Sequence, residues 1–300
     1  MSIAVIDSLF EDYNIKIEEM QEKEYISSNT NAYVLNEDNE IILFRLSNET
    51  INKEILKYIF DLHSLIELNL SSNEIEAIPS SIFKLKELKD LNLSTNNLKT
   101  IPQNLVKLPN LIRLNISNNE LTEISKGIIG SVNLIELYLS NNLILEVPLL
   151  ITKLKNLEKL DLSMNNILSL PKKFSMLQNL KVLNLDNTGL DMFPPCLSLC
   201  IKLEELSLSS NDIAVIPKFI SGFRNLQKLC LTDNNIKEIC EEVFTLRNLQ
   251  SLSLSNNKIK EIPAEISKLN QLKELDFSGN ELDEKAQDFS SLTNIVNLKI

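Results

Sequence analysis

LIELNLSSNEIEAIPSSIFKLKE fills residues 65–87, and LKDLNLSTNNLKTIPQNLVKLPN fills residues 88–110. The two stretches align without a gap. Leu65, Leu68, Leu70, Asn73, Ile75, Ile78 and Pro79 meet Leu88, Leu91, Leu93, Asn96, Leu98, Ile101 and Pro102 in the same slots. The register restarts every 23 residues at Leu111, Leu134, Leu157, Leu180, Leu203, Leu226, Leu249 and Leu272. One such unit is too short to bury its own apolar face, so neighbouring units must stack into a solenoid.

Within a unit the Leu-x-Leu alternation predicts a short strand with its leucines turned inward. The Asn that follows turns the chain off the strand, and its amide can satisfy backbone groups of the bend. It recurs at Asn73, Asn96, Asn119, Asn142, Asn165, Asn211, Asn234, Asn257 and Asn280, with Thr188 the exception among ten units. A hydroxyl offers fewer hydrogen bonds, so the ladder is expected to be weakest at Thr188. Ile-Pro then opens the outer face, because Pro favours an extended entry and cannot donate to a ladder. A second apolar pair, Ile82 and Leu85 in the first unit and Ile266 and Leu269 in the ninth, predicts one or two helical turns packed on the sheet.

Residues 1–31 lie outside the repeat. Ile3, Ile6, Leu9, Phe10 and Tyr13 have helical spacing, EEMQEKE reads as solvated and SSNTN as a loop. Tyr33 and Leu35 suggest a strand, and Asn36–Asn39 a turn. Ile41, Phe44, Leu46, Glu49 and Ile51 form a degenerate unit that starts 24 residues before Leu65 and lacks the Asn. Residues 1–64 are therefore read as an N-terminal cap, and residues 65–300 as ten regular units plus a truncated eleventh strand. The tenth frays at Lys285, and Ile295, Leu298 and Ile300 restart the pattern on schedule. No C-terminal cap is visible, so either a partner covers that end or the gene product continues. The oligomeric state is open.

These residues carry a resemblance. The string LxxLxLxxNxLxxIP at this period resembles the leucine-rich repeat, in its intracellular 23-residue subclass, over about residues 41–300. The resemblance implies an α/β, right-handed curved solenoid, or horseshoe, with a parallel sheet on its concave face and short helices or 3-10 turns on its convex face. It also implies a partner protein bound across that sheet, as in scaffolds of Ras-type signalling. The cap is similar to that of bacterial leucine-rich repeat proteins, some of which continue into Ras-like GTPase domains, although no G-x-x-x-x-G-K-[ST] occurs here.

The formal charge of −11 disfavours nucleic acid and anionic membrane surfaces as partners. No apolar run is long enough to span a bilayer, and MSIAVIDSLFEDYN does not read as a secretory signal. Four cysteines are too few for a secreted disulfide scaffold, which points to a reduced, cytoplasmic setting.

Signals for enzymatic chemistry are thin. His63 is the single histidine and sits between the cap and the first unit. Cys196 and Cys200 have metal-like spacing, but Cys200 occupies a core slot, Cys240 replaces a Pro and Cys230 belongs to the strand face. No metal or cofactor is expected, and Cys230 is the candidate exposed thiol. The carboxylates Glu67, Asp90, Glu136, Asp161, Glu205 and Asp276 are interleaved with Arg113, Lys159 and Lys228, as on a solvated mixed-sign face.

Most strand-face slots hold Ser or Asn. Tyr138, Met164 and Val182 depart from that filling, flanked by Arg113, Lys159 and Asp161. With Glu136 and Asn184 they form a candidate protein-binding surface across the third to sixth units, since Tyr and Arg dominate binding energy at interfaces. Drift at an unselected surface is the competing explanation. The sequence thus points to a non-enzymatic protein-interaction module or scaffold. The alternative is the targeting or regulatory arm of a larger signalling enzyme, such as a GTPase, kinase or phosphatase.

Overall fold

Each x-Leu-x triplet, such as Glu67-Leu68-Asn69, folds as a three-residue strand whose central leucine is buried while its flanking side chains stand in solvent or at its margin. The computed structural model describes residue 6, residues 12–283 and residues 295–300. Ile3, Leu9, Phe10 and Lys285, on which the N-terminal helix and the frayed tenth unit were predicted, lie outside the described residues. The chain divides into two units, Met1–Leu143 and Ile144–Ile300.

In the first unit β1 (Glu18–Glu19) leads into α1 (Glu22–Ser27), then β2 (Ala32–Leu35) and β3 (Ile41–Arg45). The charged run read as solvated therefore supplies a strand and a helix. Gln21 and Glu24 form a capping box at the helix start, and Tyr25 is fully buried beneath it. β1 pairs parallel to β2, and β2 pairs antiparallel to β3. Asn36 makes the intervening turn by accepting from the N–H groups of Asp38 and Glu40 at 3.0 and 2.9 Å. After α2 (Lys53–Phe60), N-capped by Asn52, come β4 (Glu67–Asn69), β5 (Asp90–Asn92), β6 (Arg113–Asn115) and β7 (Glu136–Tyr138), all parallel. β3 also pairs parallel to β4, with Phe44 opposite Leu68 as the degenerate unit requires.

The second unit holds β8 (Lys159–Asp161), β9 (Val182–Asn184), β10 (Glu205–Ser207), β11 (Lys228–Cys230), β12 (Ser251–Ser253), β13 (Glu274–Asp276) and β14 (Asn297–Lys299), each parallel to the next. Partners in regular coils are 23 residues apart, as Leu206 and Leu229 are. Equal slots therefore stack into rows. The inward rows are almost wholly dry: Leu203, Leu206, Leu208, Ile213 and Ile216 are all at most 2% exposed. Each such aliphatic side chain contributes about 1.5–3 kcal/mol on burial.

The Asn row stitches the coils together. Asn119 donates to Ile116 O and Ser117 O of its own coil at 3.1 Å, and to Leu93 O of the preceding coil at 3.0 Å. Its Oδ1 accepts from Leu98 N–H at 2.9 Å. Asn96, Asn211, Asn234 and Asn257 repeat the pattern. Where the degenerate unit has Glu49, Asn31 substitutes from the cap, accepting from Ser47 N–H at 2.7 Å and donating to Glu49 at 2.8 Å. Thr188 bonds only Leu185 O, at 2.9 Å, and forward to Asn211. Among the described residues nothing from Thr188 reaches back to Leu162 O or Ile167 N–H, the groups an Asn there would satisfy.

The residue before each ladder position is left-handed: Ser72, Thr95, Asn118, Asn141, Met164, Asn187, Ser210, Asp233, Asn256 and Gly279 have φ between 51° and 71°. The outer turns are mostly 3-10, not α-helical. Ile82 N–H bonds Pro79 O at 3.2 Å and Leu85 N–H bonds Ile82 O at 3.1 Å. Five residues, Ser80–Lys84, form such a turn, within the ten that separate Pro79 from Asp90 of the next strand. The exception is α3 (Lys126–Ile129), where Ser125 replaces the Pro. A Cβ on Gly127 would stand 2.5 Å from Pro102 O, so glycine permits that close approach.

Asn119→Ala removes four buried hydrogen bonds and is expected to lower stability by about 3 kcal/mol in urea unfolding. Thr188→Asn is expected to raise it by about 1 kcal/mol by supplying Ile167 N–H and Leu162 O. A Thr188→Asn variant no more stable than the parent would show that the ladder is not weakest there.

Candidate functional site

The strand face of the first unit carries an ion network. β5, β6 and β7 place Asp90, Arg113 and Glu136 side by side, one per strand in the same slot. The Arg113 guanidinium donates to Asp90 at 2.5 Å and to Glu136 at 2.7 Å. Tyr138 donates its hydroxyl to the same Glu136 oxygen at 2.8 Å. Arg113 is thus committed to two carboxylates on its own face, while the Tyr138 ring lies half-buried beside them. Upstream, the cap contributes Tyr25 and Arg45, with the guanidinium 4.3 Å above the ring and Glu67 near the Tyr25 hydroxyl. The acid row here is partly covered, not fully solvated as the sequence suggested. Burial raises the Glu67 and Asp90 carboxyls above the usual carboxylate range, against the pull of Arg113.

In the second unit Lys159 and Asp161 flank Leu160 on β8, and Val182 and Asn184 flank Leu183 on β9. Asp161 Oδ1 accepts from Ser163 N–H at 3.0 Å and from Ser163 Oγ–H at 2.7 Å. Asn184 Oδ1 accepts from Asp186 N–H at 2.9 Å. Asn69, Asn92 and Asn115 in the first unit, and Asp276 in the second, cap the residue two positions on in the same way. The preference for Asn or Asp in this slot is therefore an Asx turn at the strand end. Ser207 is too short for that task, and Asp186 of the preceding coil takes it over. Its Oδ1 accepts from Ser207 Oγ–H and Ser209 N–H, both at 2.6 Å. Burial raises the Asp186 carboxyl. Met164 is 51% exposed and holds the left-handed slot at φ 54°, where a long side chain is strained.

Groups with reactive potential are scattered. His63 is exposed. Cys200 is buried in its core slot, and burial pushes its thiol up to about 12 and that of Cys196 up to about 11. Cys230, expected to be exposed, is half-buried, and its thiol too is raised by burial, as is that of Cys240. Among the described residues no three His, Cys, Asp or Glu side chains are grouped to hold a metal ion, and no helix is long and apolar enough to cross a membrane. What the strand faces offer is hydrogen bonding, charge and two apolar side chains, Tyr138 in one unit and Val182 in the other. Two features escaped the sequence, the cover given by Tyr25 and the bridging role of Asp186. The lone aromatic in a charged run was the available signal for the first.

Models of the leucine-rich repeat match residues 63–121, 87–144 and 224–282, with shorter models of the same repeat at 132–175 and 202–223. Comparison with the curated proteins returns no match. Among solved structures the chain is similar to a leucine-rich-repeat protein of Leptospira interrogans, at 28% identity and TM-score 0.80, covering 96% of this chain and 78% of that one. It is similar to the plant peptide hormone receptor RGFR1, solved in complex with RGF2, at 35% identity and TM-score 0.63 over 75% of this chain and 38% of the receptor chain. An internalin of Listeria monocytogenes shares the fold at 18% identity and TM-score 0.66, covering 92% of each chain.

Because burial raises the Asp186 carboxyl, its contribution to stability is full below the unfolded value and is lost as pH rises through the folded one. Asp186→Asn keeps an acceptor for Ser207 and Ser209 while removing the buried charge. Its urea midpoint is expected above the parent's at neutral pH, with the gap closing below about pH 4. A lower midpoint at neutral pH would show that the two short hydrogen bonds require the charge.

Proposed function

Because the chain belongs to the leucine-rich repeat family, we propose that it is a non-enzymatic protein-interaction module that takes a partner protein on its strand face. The observation that carries this is the arrangement of that face. In each unit, short parallel strands hold two rows of outward-facing side chains in fixed register, which is a surface for reading another polypeptide and not a cleft for chemistry. Peptide-hormone receptors with this fold support the same use. We further assign residues 1–64 as the cap of the repeat, and a reducing, cytoplasmic setting in keeping with four unpaired cysteines.

The contacts to test are Arg113, Glu136 and Tyr138 in the first unit and Lys159, Asp161, Met164, Val182 and Asn184 in the second. Their roles differ. Arg113 and Glu136 hold the Tyr138 ring in place, so Tyr138 is the anchor and Arg113 its support. Asp161 and Asn184 also cap their own strands, so replacing them changes stability along with binding. Met164 has no such structural duty. Retaining a long apolar side chain in a left-handed slot, where other coils have Ser, Thr, Asn, Asp or Gly, favours a use at the surface.

In a pull-down from native lysate, followed by titration of the captured partner, Tyr138→Ala is expected to weaken binding at least tenfold, about 1.4 kcal/mol. A smaller loss removes Tyr138 as the anchor. Met164→Asn is expected to gain about 1 kcal/mol in urea unfolding from relieved strain while weakening the same partner. A gain in stability with unchanged affinity would mark Met164 as drift.

A further inference from the structure

The row of first strand positions in the first unit has an uneven charge order. Glu67, Asp90, Arg113 and Glu136 stand one per strand, each in register with the next. Neighbouring strands are about 4.8 Å apart, so side chains in this row meet, and they read acid, acid, base, acid. Between Asp90 and Glu136 the chain supplies its own cation, and the Arg113 guanidinium bonds both. Between Glu67 and Asp90 it supplies none. Among the described residues Glu67 has no ion pair. Arg45 is engaged by the Ser28 carbonyl and by the Tyr25 ring. Lys89 is exposed and, among the described residues, has no ion pair either. Both carboxylates remain open to the strand face, Glu67 half-buried and the Asp90 side chain 24% exposed. Asn69 and Asn92 beside them are turned to the N–H groups of Ser71 and Ser94, which leaves the space above the two acids clear of longer side chains.

A second group at this position lacks a partner. Tyr25 is fully buried, and its hydroxyl faces Glu67 without a formed hydrogen bond. A phenol can donate to an ionised carboxylate, which is acceptor-only. Burial, with Asp90 alongside, holds the Glu67 carboxyl above the usual carboxylate range and so works against that ionised form. A cation set over Glu67 and Asp90 reverses the balance. It favours the ionised Glu67, which is then the acceptor that the Tyr25 hydroxyl lacks. We propose that Glu67 and Asp90 form a seat for an arginine side chain of the partner protein, a reading that rests on the strand face being the partner surface. A guanidinium suits the seat better than an ammonium, because its planar fork reaches two carboxylates at once, as Arg113 does one strand further on. With the seat filled, every acid in the row has a cation beside it. The partner thus presents a basic segment to this face, in keeping with the −11 charge of the chain.

Titration of the full nitrogen-15-labelled chain with acetyl-Gly-Arg-Gly-amide, its lysine analogue and its citrulline analogue (the neutral isostere of arginine) tests the seat, read by backbone amide shifts. The arginine peptide is expected to bind with Kd about 1 mM and to shift β4 and β5. The lysine peptide is expected to bind about threefold more weakly, and the citrulline peptide not to bind. Glu67→Gln removes a charge that burial already disfavours, so it is expected to keep the circular dichroism of the parent while weakening the arginine peptide about tenfold. Glu87→Gln, at an exposed acid outside the row, changes the net charge equally and is expected to leave binding unchanged. An arginine peptide that does not bind, a loss no larger in Glu67→Gln than in Glu87→Gln, or a lysine or citrulline peptide as tight as the arginine one overturns the proposal. Failure here beside a captured partner that still depends on Tyr138 removes the arginine seat and leaves the strand face as the partner surface. An arginine seat that survives while Tyr138→Ala costs nothing removes the Tyr138 anchor instead.

Discussion

A primary amide is the only uncharged side-chain group that offers two donors and a two-lone-pair acceptor within one plane, and the bend after every strand requires that set. At the bend, carbonyls of two successive coils and one N–H turn inward, away from water. Leaving any of them bare costs about 1–3 kcal/mol. Asn119 answers Leu93, Leu98, Ile116 and Ser117 together. Constant strand offset, stacked rows and dry leucine layers all follow, because neighbouring bends can share an amide only at one spacing. The coil of Thr188 shows the same rule from the other side. A hydroxyl bonds its own strand, and the preceding coil is left unserved.

The two faces live under different constraints. On the strand face, short polar side chains recur because strand ends need acceptors, so chemistry there serves architecture first. Asp161 and Asn184 sit in such a slot, and the Arg113 guanidinium is spent between Asp90 and Glu136. Away from the strand face the demand is lighter, one bond per coil: the amides of Asn110, Asn133, Asn179, Asn225 and Asn248 each donate to a carbonyl of the preceding coil.

Much of the fold was legible because it depends on side-chain identity at fixed intervals. The leucine rows, the Asn row and its gap at Thr188 are all of that kind, and so is the degenerate unit paired at Phe44 and Leu68. What was not legible depends on backbone conformation or on contacts distant in sequence. Ser72, Thr95, Met164, Asp233 and Gly279 share a left-handed conformation but no chemistry, so no pattern announces the slot. The 3-10 form of the outer turns does not follow from spacing, since the coil with Ser125 has the same ten residues before its next strand and forms α3. Tyr25 covers the acid row from a segment whose charge suggested solvent. For the candidate surface, the sequence placed Asp90, Arg113 and Glu136 in one row but read them as solvated, and it was silent on the Tyr138 hydroxyl, which comes from the neighbouring row to the same Glu136 oxygen.

The direction of the amide bonds gives the fold a temporal order. Asn119 Nδ2 reaches back to the coil of Asn96, and among the described residues the ladder side-chain amides Asn96, Asn211, Asn234 and Asn257 reach back in the same way. Each coil is therefore finished by the one that follows it. At about 5–20 residues per second, a new coil leaves the ribosome every few seconds. Until it arrives, the youngest coil holds an unsealed bend. Accretion from the capped end onward is the natural pathway for such a chain, and a pause in translation would leave one unsealed coil at a time, whatever length had already emerged.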